Sequence, residues 1–385
     1  MRRINRQLWG TAAKAVTVGV VLTLGLSSCA QGGNDNGGSG DTKDGVTTIQ
    51  VWAQEGQEGE VQAAKDEVAA FNAEHSDIQA ELTLVPQATY GQTLSSTAVD
   101  ALPDVYEFDG ETAAALVYAG KLAPLADLVP QSVFDGELAS IVAEGTVNGE
   151  PYSVSQYDSG LALYGNKAML ADAGITDIPT KVGEEWTAQE FTDVLAKLAA
   201  KSPDGKALDI KEQYAGTWPG YGFTPVVNSA GFPLVKDGKA TGSLNAPAVA
   251  DALTTVASWR QYVDPNADDK AFTDKRVALA WVGHWAYPAN KDALGDDLVV
   301  IPLPDFGIGT KSGQGSHSWG IGANSANKEA AATFLEFIMQ DKWVDQITKA
   351  NGAVPANTSV LAASELYGPG GDLEPRAHGV AVAHQ

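Results

Sequence analysis

The stretch "TTIQVWAQEGQEGEVQAAKDEVAAF", residues 47–71, changes its hydrophobic period halfway along. Ile49 and Val51 alternate with polar neighbours, the period-two signature of a half-buried strand, whereas Val61, Ala64, Val68 and Phe71 recur at helical spacing. The switch repeats downstream. "AELTLV" alternates Ala80, Leu82 and Leu84, and Pro103 and Asp104 open a third strand in "PDVYEF". Ala113 to Ala119 reads as a helix stopped by Gly120. Thr187 and Glu190 have capping-box spacing ahead of a helix with an apolar face of Phe191, Val194, Leu195 and Leu198. Asn245 and Pro247 begin another, carrying Val249, Leu253 and Val256. "ALAWV" and "DLVVIPLP" read as buried strands, and Lys328 to Gln340 as a helix with Phe334, Leu335 and Ile338 facing in. Strands alternating with helices over this length predict an α/β fold with ligands at the carboxyl ends of the strands.

Composition narrows the function. The chain has 385 residues, 44% of them hydrophobic, enough for two domains with real cores. Its formal net charge of -23 repels phosphate backbones, so nucleic acid is excluded as a partner. A single cysteine excludes an intramolecular disulfide and any multi-thiolate metal site. That cysteine, Cys29, follows a basic segment (Arg2, Arg3, Arg6) and an apolar run from Ala15 to Leu26, too short for comfortable membrane spanning. Leu26-Ser27-Ser28-Cys29 resembles a bacterial lipobox, so residues 1–29 are expected to be a lipoprotein signal ending at a lipidated cysteine on the outer face of the membrane. Residues 30–45, rich in Gly, Asn, Asp and Ser, read as a flexible tether.

Catalytic patterns are sparse. His75, His284, His317, His378 and His384 never adopt His-x-x-x-His spacing, and no phosphate loop, nucleophile elbow or CxxC occurs. Glu107 and Asp109 in "YEFDG" could act as a hydrolase pair, but glycosidases place their carboxyls on separate elements. No metal or cofactor is expected. Aromatic residues carry the stronger signal: Trp218 in "GTWPGYGF", Trp281 and Trp285 in "AWVGHWAYP" and Trp319 in "SHSWGIG" sit beside glycine or proline, where a ring can wall a cavity and stack on a sugar. Trp52, Trp259 and Trp343 read as core, and Asp104 as a structural strand opener.

Taken in order, "TIQVWAQEGQEGE", "LPDVYEFDG", "YAGKLAPLADL", "VNGEPYSVSQYDSGLALYGNKAML", "NSAGFPLV", "FTDKRVALAWVGHW" and "SWGIGANSANKEAAATFLEFI" resemble the solute-binding proteins of carbohydrate ABC importers, the group containing maltodextrin-binding protein. The resemblance implies a two-lobed periplasmic-binding-protein-like α/β fold with three crossings, near Tyr157 to Gly160, Trp319 to Gly322 and Asn351 to Pro355. Lobe 1 would take residues 46–157 and 321–352, and lobe 2 residues 160–318 and 356–385. Members of the family continue past "GPGGDL" with a further helical segment, whereas this chain reads "EPRAHGVAVAHQ", so a shortened end of lobe 2 is expected. Carried over, the ligand-binding residues would be Gln54, Glu55, Gln57, Glu107 and Asp109 from lobe 1, Asp158 and Trp319 at crossings, and Trp218, Tyr221 and Trp285 from lobe 2. The implied activity is non-enzymatic capture of a neutral oligosaccharide by a monomer that docks on permease subunits and touches the membrane only through its lipid. Absence of Arg or Lys clusters near these segments agrees with a neutral ligand. A secreted carbohydrate hydrolase and a same-fold receptor for another solute remain as alternatives.

Overall fold

The computed structural model of the protein describes residues 42–43, 45–214, 218–236, 238–313, 315–368, 371 and 373. Cys29, the signal, most of the tether and the terminal segment from 374 lie outside these residues. Thr42–Lys43, expected to end the tether, instead form a short strand, β1. It pairs antiparallel with β2 (Val46–Glu55), which is followed by helix α1 (Glu58–Glu74), β3 (Ile78–Pro86) and β4 (Val105–Asp109). Helix α2 (Ala139–Gly145) leads into a hairpin of β5 (Thr146–Val147) and β6 (Glu150–Pro151). Next come β7 (Val154–Asp158) and β8 (Leu161–Asn166), then β9 (Leu208–Asp209), β10 (Leu279–Gly283), β11 (Leu298–Ile301) and β12 (Ser316–Ile321). Helices α3 (Lys328–Ile338) and α4 (Asp341–Asn351) precede β13 (Val354–Pro355).

Two sheets divide these strands. The seven-stranded sheet runs β1-β2-β4-β12-β7-β13, with β3 also on β2; the four-stranded sheet runs β11-β8-β10-β9. Each sheet has its own core. Ile49, Val51, Val105 and Phe334 fill the first, and Leu163, Phe191, Trp259 and Trp281 the second. Buried Trp259 and Trp281 keep their indole N–H groups satisfied, donating to Thr192 Oγ1 at 2.8 Å and the Gly222 carbonyl at 3.0 Å. The Thr187 capping box forms as read, with Phe191, Val194, Leu195 and Leu198 buried behind it.

Several details differ from the sequence reading. On α1 the buried stripe is Ala63, Glu67 and Phe71, so a carboxylic acid takes a core position. Leu253 is exposed, because Val249 and Ala252 carry its helix onto lobe 2. The first crossing is Ser159–Gly160, between β7 of one sheet and β8 of the other. The second precedes Ser316 instead of falling at Trp319 to Gly322, since the whole of β12 is hydrogen-bonded between β4 and β7. After β13 the chain returns to lobe 2, where Tyr367 and Leu373 pack with Ala162, Tyr164 and Val282. Among the described residues no helix is long and apolar enough to cross a membrane.

Candidate functional site

The carboxyl ends of β2 and β4 place Gln54, Glu107 and Asp109 together. The Gln54 N–H donates to Glu107 Oε2 at 2.7 Å, and Gln54 Nε2 donates to Asp109 Oδ1 at 3.3 Å. Antiparallel β12 brings His317 opposite Asp109. His317 Nδ1 lies 2.9 Å from Glu107 Oε1, and its Nε2 3.9 Å from Asp109 Oδ1. Burial alone would lower the imidazole pKa. The hydrogen bond and charge of Glu107, then the charges of Asp109 and Glu60, outweigh burial and push it up to about 10, so the ring is a cation at neutral pH. Beneath the group, the Tyr90 hydroxyl donates to the Glu107 carbonyl at 2.7 Å and fixes the strand end.

The neighbouring N-terminus of α1 is organised by Glu60. Its carboxylate accepts from the Gln57 N–H at 2.9 Å and from Asn351 Nδ2 at 3.1 Å. Glu55 and Gln57 are both exposed; Gln57 caps α1 and Glu55 ends β2.

At the first crossing the sheet is irregular. Ser318 pairs with Ser155 and Ser316 with Asp158, so Gln156 and Tyr157 together oppose His317. Such a bulge breaks side-chain alternation and re-aims a residue. Tyr157 consequently reaches both His317, with ring centroids 5.4 Å apart, and His284 of lobe 2, at 5.6 Å. His284 in turn ties two crossings together: Nδ1 is 3.0 Å from the Asn351 carbonyl and Nε2 is 2.9 Å from Ser159 Oγ. A carbonyl only accepts, so Nδ1 carries the proton.

Lobe 2 contributes the rings. Trp218 packs edge-on against Trp285 at 6.1 Å, and Tyr221 lies 6.4 Å from Trp285. The Tyr221 hydroxyl donates to the Ser159 carbonyl, and Trp218 Nε1 donates to the Ile210 carbonyl at 3.1 Å. Gly283 is required by space: a Cβ there would come within 1.9 Å of the Trp285 ring. Tyr221 and Trp285 are half-buried and Trp218 is buried.

Two tryptophans expected at a cavity wall lie in the cores, and Asp158, at the first crossing as expected, is closed off. Trp319 is drawn into the lobe 1 core, edge-on to Phe334 at 6.5 Å, because it stands two residues deeper along β12 than His317. Trp281 lies in the lobe 2 core. Asp158 is fully buried, and its carboxyl oxygens have no hydrogen bond of good geometry among the described residues. Burial, helped by the nearby Glu144 and opposed by the amides of Gly315 and Ser159, pushes its pKa up to about 7. His317, Tyr157, His284 and Glu60 escaped the sequence reading; histidine spacing was uninformative because their contacts span the chain. No group of three or more His, Cys, Asp or Glu able to hold a metal ion occurs among the described residues.

The arrangement offers hydrogen-bond acceptors and one cation on one lobe, aromatic faces on the other, and Tyr157 touching histidines of both. Comparison with known proteins gives consistent results. The family described as bacterial extracellular solute-binding protein matches residues 67–367. The diacetylchitobiose binding protein DasA of Streptomyces coelicolor is 25% identical, over 92% of this chain and 86% of that protein. An uncharacterized lipoprotein from the oleD 5' region of Streptomyces antibioticus is 24% identical, over 90% and 77%. Among solved structures, the GacH receptor of Streptomyces glaucescens, studied unliganded and with acarbose, superposes with a TM-score of 0.71 at 22% identity, covering 87% of this chain and 86% of that one. The cyclic alpha-maltosyl-1,6-maltose binding protein of Arthrobacter globiformis gives 0.72 at 22% identity, covering 88% and 87%. These likenesses establish the two-lobed fold.

Proposed function

Because the chain belongs to the bacterial extracellular solute-binding protein family, we propose that it captures a neutral oligosaccharide between its lobes and delivers it unaltered to the permease of an ABC importer. The observation that carries the reading is the run of ring contacts that links the two sides, from His317 beside Glu107 and Asp109 to Tyr157 at 5.4 Å, on to His284 at 5.6 Å and to Trp285 at 5.4 Å, next to Trp218 and Tyr221. Carboxylates and the Gln54 amide suit vicinal hydroxyls, at about 1.5–3 kcal/mol for each charged hydrogen bond. Ring faces suit the apolar C–H faces of the same sugar. Contacts made to both lobes at once favour a closed form by differential affinity, and that population is what a permease would recognise. The names of DasA, for diacetylchitobiose, and of the Arthrobacter protein, for a cyclic maltosyl-maltose, support a saccharide ligand.

In this reading the receptor works outside the cytoplasm, held by lipid on Cys29, as a monomer without a cofactor. A relative named as a lipoprotein supports the anchor. Titration of the mature protein with maltooligosaccharides and diacetylchitobiose, followed by tryptophan fluorescence and calorimetry, tests the reading. Saturable binding with recovery of intact sugar is expected. Cleavage of the sugar would favour the hydrolase reading, and saturation only by a non-saccharide solute would overturn the ligand class.

A further inference from the structure

In the saccharide receptor just proposed, on which this inference rests, we infer that His317 sets the preference for uncharged sugars over amine-bearing ones. Its imidazolium offsets the carboxylates around it, so a ligand amine gains little over a hydroxyl. His317 Nδ1 lies within hydrogen-bond distance of Glu107 Oε1 at 2.9 Å, and Nε2 lies 3.9 Å from Asp109 Oδ1, beyond a hydrogen bond and within ion-pair reach. A ring protonated on both nitrogens carries the charge that both carboxylates attract. The carboxylates that favour that state are Glu107 and Asp109 from β4 and Glu60 from α1; Tyr157 of β7 supplies a neutral ring face, and Glu144 of α2 lies within electrostatic reach of the ring.

The remaining openness of each group decides what a ligand meets. The Glu107 side chain is only 9% exposed and is committed to His317 and the Gln54 N–H. Glu60 is committed to Gln57 and Asn351. Asp109 and His317 keep open faces, with side chains 40% and 22% exposed. A ligand therefore meets one anion and one cation side by side. Removing the cation leaves Asp109 unbalanced and exposes an oxygen of Glu107, which creates a pocket for an ammonium. Removing Asp109 leaves the open imidazolium face, balanced only by the buried Glu107 behind it, nearest the ligand and so disfavours an ammonium.

The test compares two sugar pairs at pH 6 by calorimetry on wild type, His317→Gln and Asp109→Asn. The pairs are N,N'-diacetylchitobiose against its doubly de-N-acetylated form, and maltose against its 6-amino-6-deoxy derivative. For any pair whose neutral member binds wild type, His317→Gln should shift the affinity ratio toward the amine by about tenfold, and Asp109→Asn should shift it away by a similar factor. Opposite signs distinguish charge from packing, since loss of packing would weaken both members alike. Shifts in the same direction, or a ratio unmoved within about twofold in both variants, would overturn the inference while leaving the receptor reading intact. If neither neutral sugar binds wild type, the choice of saccharide fails and this inference with it. Where His317→Gln does not fold, the direction of the Asp109→Asn shift decides alone.

Discussion

Replacing Asp158 with Asn should stabilise the protein, increasingly so as pH rises. The carboxyl sits fully buried on β7 beside the first crossing, near Glu144 and without a well-formed hydrogen bond among the described residues. Its pKa rises from the ordinary 3.8 to about 7 in the folded protein, so the folded state binds the proton more tightly than the unfolded chain does. Stability from this group is fully present below pH 3.8 and is lost as pH climbs to about 7. At 1.36 kcal/mol per pH unit the whole interval is worth ~4 kcal/mol. Between pH 5 and pH 9 the part that falls is the stretch from 5 to about 7, or ~3 kcal/mol. Asn has nearly the same shape and no charge to bury. Any cost of its amide is the same at each pH, and titration of Glu67 and Glu137 is common to both proteins, so these cancel in the comparison, whereas the nearby Glu144 is coupled to Asp158 and stays part of the difference. Urea unfolding of wild type and Asp158→Asn at pH 5 and pH 9 therefore reads the carboxyl together with that coupling. The stability difference should move toward the variant by about 2–3 kcal/mol from pH 5 to pH 9. A pH-independent difference, or movement toward wild type, would refute the assignment of a buried, uncompensated acid.

Three further outcomes follow from the site. Trp285→Ala should weaken saccharide binding about tenfold or more with a modest loss of stability, whereas Trp281→Ala, in the lobe 2 core, should cost about 3–5 kcal/mol of folding free energy; calorimetry and denaturant unfolding separate the two. Glu107→Gln should weaken binding about tenfold by removing the charged partner that holds His317 and the end of β2 in place, and the His317 imidazole should then titrate at lower pH by NMR. Cys29→Ala should release the protein from membranes in fractionation while leaving ligand affinity unchanged.

Local signals in the sequence were strong wherever a single element decided the outcome. The change of period at residues 47–71 announced β2 and α1, Thr187 and Glu190 formed the cap their spacing implied, and Asp104 serves structure, accepting from the Gln50 N–H at 2.8 Å and Ser325 Oγ at 2.6 Å. Glu107 and Asp109 could be picked out because both lie on one strand end. Their partner could not: His317 stands 210 positions from Glu107, and only the antiparallel register of β12 brings them together. Tyr157 was hidden for another reason. A bulge has no hydrophobic signature, so alternation along "SVSQYD" assigns Tyr157 to the wrong face. Trp319 misled because glycine neighbours signal a cavity wall only where the strand end is near, and here the strand begins three residues earlier, at Ser316.

The same bulge explains why buried acids gather where the lobes meet. Strand β13 is two residues long and covers only Tyr157 and Asp158 of β7, so the edge of β7 at Ser155 lacks a partner strand. Glu137 fills that place, its carboxyl accepting from the Ser155 N–H at 2.7 Å. On the other face, Glu67 accepts from Gln156 Nε2 at 2.7 Å. Glu144 accepts from the Ser316 N–H at 3.2 Å, where the second crossing enters the sheet. Burial pushes Glu67 and Glu137 up to about 8, so both are held mainly as the neutral acid at mild pH, and burial raises Glu144 as well. A neutral carboxyl accepts from a backbone N–H without the cost of burying a charge. Lobe 1 thus holds its hinge strand with protonated side chains in place of a full ladder. Its hinge end should accordingly lose hydrogen-exchange protection as pH passes from 6 to 9, once the faster intrinsic exchange at high pH is divided out, while β2 and β4 stay protected.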